Sequence, residues 1–495
     1  MSIDNTHIDA VGIHKMLACV EAAGGSVYFI GIGGIMMSSL ALLTAKRGFR
    51  VSGSDRSSGD IIDGLRAAGI TVYQSHDPAN LPADCGLVIY TVAISEDNPE
   101  YLAALSRDIP CVSRANYLGA LMTRYRTRVG IAGMHGKSTC TSICAQIYLD
   151  AHEADPMVDA TIISGATYAP MGGAYRPGEG DTHFLFEACE YKDSFLDFCP
   201  TVAVLLGAEL EHVDYFKDMA QIRTSFSRFA SLTGPAGVTV VNFDDDDVML
   251  SARLAFESGN TGRVVTFSRA GDPRADFYAV NSHLEGGMPV FTLVAFGYTW
   301  GEVRMQVPGA HQVANALAAA AAMWAAEISP AAILTGIAHY TGAGRRMEKR
   351  GEISGAVVYD DYGHHPTEIR ATLEGARALC GQGGRLICVY QPHTFSRTSA
   401  LYNDFLHCFS AADRVLLLDI YAAREVNTYG VSSSALASDL GERDGAPMGI
   451  YCASPADAAS YLREEAAPGD VIVVMGAGDV IRVTSLLFPH DRACG

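Results

Sequence analysis

The sequence predicts an α/β protein of three domains built on mostly parallel sheets. Three observations lead there. At 495 residues the chain is too long for one ordinary core. Short β-branched runs alternate with amphipathic stretches in three successive blocks, the pattern of strand–helix–strand units. The conspicuous glycine clusters fall where predicted strands end, the place where such sheets bind ligands.

The first block, 1–124, has predicted strands at 26–30, 50–53 and 87–91, the first opening into Gly31-Ile32-Gly33-Gly34. The second, 125–346, starts with a strand at 128–132 that runs into Gly133-Met134-His135-Gly136-Lys137-Ser138-Thr139. Strands at 184–187, 202–206 and 238–242 follow, then a β-rich part from 263 to 308 and a closing helix at 311–327. The third, 347–495, follows Arg345-Arg346 and has strands at 357–359, 386–390, 415–418 and 471–475. No repeat of solenoid period is present. The acidic run 244–247 reads as a solvated turn.

Composition sets limits on partners. With 49% hydrophobic and 18% charged residues the chain is that of a packed globular protein. A formal net charge of −19 gives no electrostatic footprint for nucleic acid and disfavours anionic lipid. Asp4, His7, Asp9 and His14 interrupt the N-terminal stretch, which lacks signal-peptide character. The longest apolar run, 316–326, is shorter than the ~18 residues a membrane span needs. Twelve cysteines without a CxxC pair suit a reducing cytoplasm, and Cys140 and Cys144 share one helix face as packing groups.

The loop 133–139 is the sharpest chemical signal. It lies between a strand and a helix, so glycine lets backbone N–H groups approach phosphates at a helix N-terminus. Lys137 reaches the β/γ-phosphates, and the Ser138 hydroxyl suits Mg²⁺. The loop is two residues shorter than G-x4-GK[ST]. Glu187, with Glu190, ends one strand of the same block, and Glu211-His212 follows another. Singly these are surface or capping groups; converging on the loop, they suit one or two magnesium ions.

In the first block, Asp55 stands where a dinucleotide fingerprint has its ribose-binding acid, but Met36 replaces the third glycine. Diphosphate binding fits this loop better than a nicotinamide cofactor does. In the third block, DDYGHHP at 360–366 and QPHTFSR at 391–397 each follow a strand. Tyr, His and Arg gathered there suit a zwitterionic amino acid, with Arg for the carboxylate and neutral acceptors for the amine. No HExxH or His/Cys spacing supports zinc.

Across nearly the whole chain the motifs at 31–38, 133–139, 187–195, 211–216, 309–318, 345–348, 360–369 and 391–398 resemble those of the Mur ligase family, in its order. The resemblance implies a Rossmann-like N-terminal domain, a P-loop-type central ATPase domain and a Rossmann-like C-terminal domain. These bind in turn a UDP-sugar, ATP and an amino acid. It implies an ATP-dependent ligase joining L-alanine to the lactyl carboxylate of UDP-N-acetylmuramate through an acyl phosphate. The cofactors are ATP and Mg²⁺, the setting is peptidoglycan precursor synthesis in the cytoplasm, and the enzyme is a monomer or dimer. Position by position, it assigns Gly31, Gly33, Gly34, Ser38 and Asp55 to the UDP-sugar. Gly133, Met134, His135, Gly136, Lys137, Ser138 and Thr139 hold the phosphates of ATP. His311 and Asn315 lie near adenine, and Arg346 and one of Asp360 and Asp361 (Asp360 taken first) contact the nucleotide. Ser138 and Glu187 take the first magnesium, His212 the second, and Lys137, Glu187 and His212 form the catalytic set. Tyr362, His364, His393 and Arg397 surround L-alanine.

The chain departs from the family pattern at Gly207, Glu211, Gln312 and Met36, the last placing a bulky side chain at the diphosphate loop. Three other readings share parts of the pattern. They are a murein-peptide ligase of the same family, a nicotinamide-dependent oxidoreductase, and a binding protein with a decayed site.

Overall fold

The computed structural model describes residues 9–91, 94–211, 215–259, 262–423, 425–442 and 445–489. His212 lies outside them. The chain forms two compact units, Met1–Tyr278 with Leu317–Gly336, and Ala279–Ala316 with Ile337–Gly495.

The first unit holds two sheets. Five strands, Ser26–Ile30, Arg50–Ser54, Thr71–Tyr73, Cys85–Tyr90 and Cys111–Ser113, make a parallel sheet with Ser26–Ile30 in the middle. Chain order 3-2-1-4-5 puts the switch point, and therefore the ligand crevice, beside the end of that strand. All five of its residues are buried, and 27–30 read as a continuous run without polar alternation. In the second sheet, Thr127–Ala132 is flanked in parallel by Val202–Leu205 and His183–Glu187. Val238–Asn242 and Arg263–Ser268 extend it on one side. Ala160–Tyr168 and Gly173–Arg176 extend it on the other, the last as an antiparallel hairpin. One apolar cluster, from Ile13 to Ala255, runs through this unit.

The second unit centres on a six-stranded sheet. Ala356–Asp361, Val471–Met475, Leu386–Tyr390, Arg414–Leu418 and Met448–Cys452 are parallel, and Glu348–Ile353 pairs antiparallel at one edge. Apolar clusters cover both faces, one around Leu373 and Tyr390, the other around Val389 and Leu462. An antiparallel hairpin of Met288–Ala295 and Tyr298–Arg304 belongs to this unit.

The predicted mostly parallel α/β architecture is therefore the observed one. The strands missed in the sequence are short or peripheral: Thr71–Tyr73, Cys111–Ser113, Ala160–Tyr168, Gly173–Arg176, Glu348–Ile353 and Met448–Cys452. Thr71–Tyr73 and Cys111–Ser113 have three residues each, too few to show a period, and a glycine falls within each of the other four. No described helix is long and apolar enough to cross a membrane, and the described cysteines are free thiols.

Candidate functional site

The phosphate loop leaves the middle one of three adjacent parallel strands, so its neighbours' ends necessarily flank it. Gly133 (φ +143) and Gly136 (φ +80) take conformations that side chains rarely adopt. A Cβ on Gly133 would also lie 2.8 Å from Leu206 Cβ. The helix Lys137–Ala154 starts at the lysine, with Gly136 as an N-cap that makes no side-chain hydrogen bond to its first turn. First-turn amides thus offer an anion site. Across the loop, the Met134 N–H donates to Gly207 O at 3.0 Å, and His135 Nε2 lies 2.9 Å from Glu209 Oε2.

Lys137 Nζ donates to Gly133 O at 2.6 Å, Met134 O at 3.2 Å and Glu190 Oε1 at 3.0 Å. Burial opposes its charge, but Glu190, with Glu187 and Glu211 among others, holds the ammonium pKa above the ordinary lysine value. Glu190 and Glu211 are buried. Glu187, at the end of its strand, accepts from the Gly165 N–H at 3.0 Å through Oε2. A Cβ on Gly165 would stand 2.6 Å from that oxygen, so only glycine leaves the carboxylate its place. Ser138 is buried at the start of the helix. A hydroxyl, several carboxylates and one cation form an oxygen-rich, net-negative setting that fits a hard divalent ion. The magnesium role read for His212 concerns a residue outside the described ones.

Gly207 has a local reason. Asp245 caps the helix Asp246–Glu257 through Oδ1, and its Oδ2 accepts from the Ala208 N–H at 3.0 Å. A Cβ at 207 would lie 3.2 Å from Oδ2, so a larger residue would press on this tie.

In the first sheet, the crevice loop 31–34 is held from the end of the neighbouring strand. Ser54 O accepts from the Gly31 N–H at 2.8 Å and the Ile32 N–H at 3.0 Å. The Gly33 N–H donates to Asp55 Oδ2 at 2.8 Å, while Asp55 Oδ1 accepts from the Ser57 N–H at 2.8 Å. Asp55 therefore shapes the loop from inside. Ser38 is buried, and its hydroxyl donates to Ile35 O at 3.0 Å within the helix. Met36 packs partly buried against the apolar core. Gly34 is the exposed member of the loop.

In the second unit, two loops meet at the carboxyl ends of the parallel strands. Arg345 (φ +55) and Met347 (φ +51) bend the chain sharply, and Arg345 O accepts from the Tyr362 N–H at 2.7 Å. The Arg345 and Arg346 guanidiniums lie 4.9 Å and 5.4 Å from the Tyr362 ring centroid. Arg346 is 3.8 Å from Glu368, whose carboxylate also accepts from the His364 N–H at 3.0 Å. The His364 and His393 rings lie 6.2 Å apart, and His393 stacks on Tyr421 at 5.5 Å. His393 Nδ1 is buried without a partner among the described residues. Burial, the Arg397 charge and His364 lower its pKa to about 4, so the ring stays neutral at physiological pH. Tyr362, His364, His393 and Arg397 thus fall in one neighbourhood. His311 Nε2 lies 3.2 Å from Gln312 Nε2, and the Asn315 amide donates to Gln312 Oε1 at 3.2 Å.

Strand alternation separates Asp360 from Asp361. Asp361 accepts from the Gly363 N–H at 2.7 Å and the Met347 N–H at 2.9 Å, beside Arg346. Asp360 turns to the other face, accepting from the Thr484 hydroxyl at 3.1 Å with Arg350 at 3.5 Å. Of the two, the loop-facing carboxylate is Asp361; sequence could not choose between adjacent acids.

Three family models match in chain order: the Mur ligase family catalytic domain at 26–126, the Mur ligase middle domain at 131–323, and the Mur ligase glutamate ligase domain at 345–478. The chain belongs to the Mur ligase family. Among curated Mur ligases, the UDP-N-acetylmuramate–L-alanine ligase of Agathobacter rectalis is 40% identical over 458 residues, covering 92% of this chain and 96% of that one. The enzyme of that name from Acetivibrio thermocellus is 40% identical over 467 residues, covering 94% and 96%. In fold, a UDP-N-acetylmuramate–alanine ligase of Thermotoga maritima superposes with a TM-score of 0.78 at 22% identity, covering 95% of this chain and all of that one. A murein peptide ligase of Psychrobacter arcticus gives 0.69 at 23% identity, covering 94% and 98%. The three-domain Mur ligase fold and its dependence on ATP follow from the family.

Proposed function

We propose that this Mur ligase joins L-alanine to the lactyl carboxylate of UDP-N-acetylmuramate, forming ADP and phosphate. The observation that carries the reading is Lys137, poised between the phosphate-loop carbonyls and Glu190 at the start of a helix. Its support from relatives is the run of curated alanine ligases at about 40% identity over most of the chain.

In this reading the domains are 1–124 for the UDP-sugar, 125–346 for ATP and 347–495 for the amino acid. Lys137 and the amides of 133–139 bind the β/γ-phosphates, and Lys137 steadies charge as the lactyl carboxylate attacks the γ-phosphorus. Ser138 and Glu187 would hold a magnesium ion, with His212 at a second; bound there, the metal neutralises phosphate charge. His311, Asn315, Arg346 and Asp361 contact the nucleotide. The first turn of the helix that follows Gly34 receives the diphosphate of the sugar nucleotide, because the amides of Gly31, Ile32, Gly33 and Gly34 are already taken, by Ser54 O, Asp55 and Gly31 O. Arg397 reads the carboxylate of alanine, while His364 and the neutral His393 accept from its amine, which then attacks the acyl phosphate. We place the enzyme in the cytoplasm.

The test is phosphate release by the purified chain with ATP, Mg²⁺ and UDP-N-acetylmuramate, adding alanine, glycine, serine or a preformed tripeptide in turn. Release dependent on alanine supports the reading. Release with the tripeptide and none with alanine would make it a murein-peptide ligase.

A further inference from the structure

Glu100 is fully buried in the first sheet's domain, yet no lysine or arginine is paired with it among the described residues. Its two oxygens instead gather groups from four parts of the chain. Oε1 accepts from the Tyr28 hydroxyl at 2.8 Å, the Asn80 amide at 2.9 Å and the Asp77 N–H at 3.3 Å. Oε2 accepts from the Ser54 hydroxyl at 2.5 Å and lies 3.0 Å from His76 Nδ1. Tyr28 belongs to the central strand, Ser54 ends the next one, residues 75–80 follow the third, and Glu100 opens the helix Pro99–Ser106 after the fourth. A carboxylate in the first turn of a helix, surrounded by donors, remains stable without a cation.

The arrangement is not a nucleophile relay. Ser54 Oγ and Glu100 Oε2 both face the same ring nitrogen of His76, each at 3.0 Å, so the imidazole cannot pass a proton from one to the other. What the cluster does is mechanical. Ser54 is tied to Glu100 through its side chain, while its carbonyl holds the amides of Gly31 and Ile32. The next residue, Asp55, holds the amide of Gly33. Three successive amides of the crevice loop therefore take their positions from a two-residue segment that Glu100 anchors.

We propose that Glu100 is a positioning residue for sugar-nucleotide binding, fixing the glycine loop 31–34 through Ser54 and Asp55 without touching the ligand. The inference rests on the UDP-sugar reading of the first domain. In Glu100→Gln the side chain keeps its size, but its one NH2 takes the place of one acceptor oxygen, against either the Tyr28, Asn80 and Asp77 donors or Ser54 and His76. The charge that strengthens the remaining hydrogen bonds is also gone, so the anchor is weakened.

Calorimetric titration with UDP-N-acetylmuramate, without ATP, tests this. The parent should bind, and Glu100→Gln should raise Kd by about tenfold or more, as losing a hydrogen bond to a charged group does. KM for ATP and for alanine should stay within about twofold, and Ser54→Ala should raise the same Kd but add little in the Glu100→Gln background. An unchanged Kd in Glu100→Gln overturns the inference, as does an equal rise in all three KM values with a lowered Tm. Should Glu100→Gln not fold, Ser54→Ala decides, and parent-like binding by it overturns the inference. Failure of the parent to bind the sugar nucleotide would remove the functional reading itself, and the inference with it.

Discussion

At the scale of single residues, Lys137 is the side chain on which the proposed chemistry turns. Three acids in its surroundings keep it charged, and its Nζ sits over the loop that would receive the phosphates. Its contribution grows as charge develops on the transferred phosphoryl group. Lys137→Ala should therefore lower kcat by on the order of 10²–10³ with the fold retained. Steady-state phosphate release and a circular dichroism spectrum check this together, and ligation within a few-fold of the parent would remove the lysine from the mechanism. Arg397 is a different kind of residue, a reader of one substrate. A guanidinium pairs bidentately with a carboxylate where lysine offers a point charge. Arg397→Lys should raise KM for alanine strongly and leave those for ATP and the sugar nucleotide alone. Alaninamide should be a poor substrate for the parent and lose little more in the variant. Equal penalties on both compounds would show that Arg397 does not read the carboxylate. Much of this was legible in the sequence, since a lysine after two glycines between strand and helix has a local meaning. The pairing of Lys137 with Glu190, 53 positions away, did not.

Elements decide where those side chains lie. Three parallel neighbours carry the phosphate loop, Glu187 and the stretch 206–211 to the same edge of one sheet. Glu187 keeps its orientation because the strand Ala160–Tyr168 passes it with a glycine. In Gly165→Ala the nearest atoms to the new methyl are those of the Glu187 carboxylate, a flexible group that can swing aside. The fold should survive, with Tm changed little, while the Mg²⁺ concentration for half-maximal activity rises several-fold, as perturbing a ligand's orientation commonly costs 10–100-fold in affinity at most. A magnesium titration at saturating ATP reads this directly, and an unchanged midpoint would take Glu187 off the metal. The sequence showed Glu187 ending its strand. It did not show Ala160–Tyr168 beside it, because that strand's register is visible only once it pairs.

For the molecule as a whole, pH exposes a conflict built into the second unit. Burial pushes the Asp360 carboxyl up to about 7, against 3.8 in an unfolded chain, with Arg350 and Thr484 only partly offsetting it. The native state thus binds the proton more tightly, so this contribution is present at low pH and is lost as pH rises from 3.8 through 7. Asp360→Asn removes the titration, and its stability relative to the parent should improve between pH 5 and pH 8. His393 acts in the opposite sense. Its lowered pKa makes the native state lose stability as pH falls from 6.5 towards 4. Denaturant midpoints of parent and Asp360→Asn across this range separate the two, and a parallel pair of curves would show that Asp360 does not titrate there.

By itself the sequence determined the three α/β blocks, the strands that carry the loops, the phosphate loop and the two motifs of the last domain. Apolar period, turn glycines and the strand-to-helix junction are properties of neighbouring residues, and neighbours are what a sequence displays. Only the tertiary structure decided that Asp361 rather than Asp360 faces the Arg346 loop. It also showed that Asp55 is occupied with Gly33 and Ser57, and that Ser38 turns back into its own helix. The same holds for Glu100, whose partners come from positions 28 to 80. A buried polar group acquires its meaning from donors that folding brings to it, and that long-range assembly has no local signature in the chain.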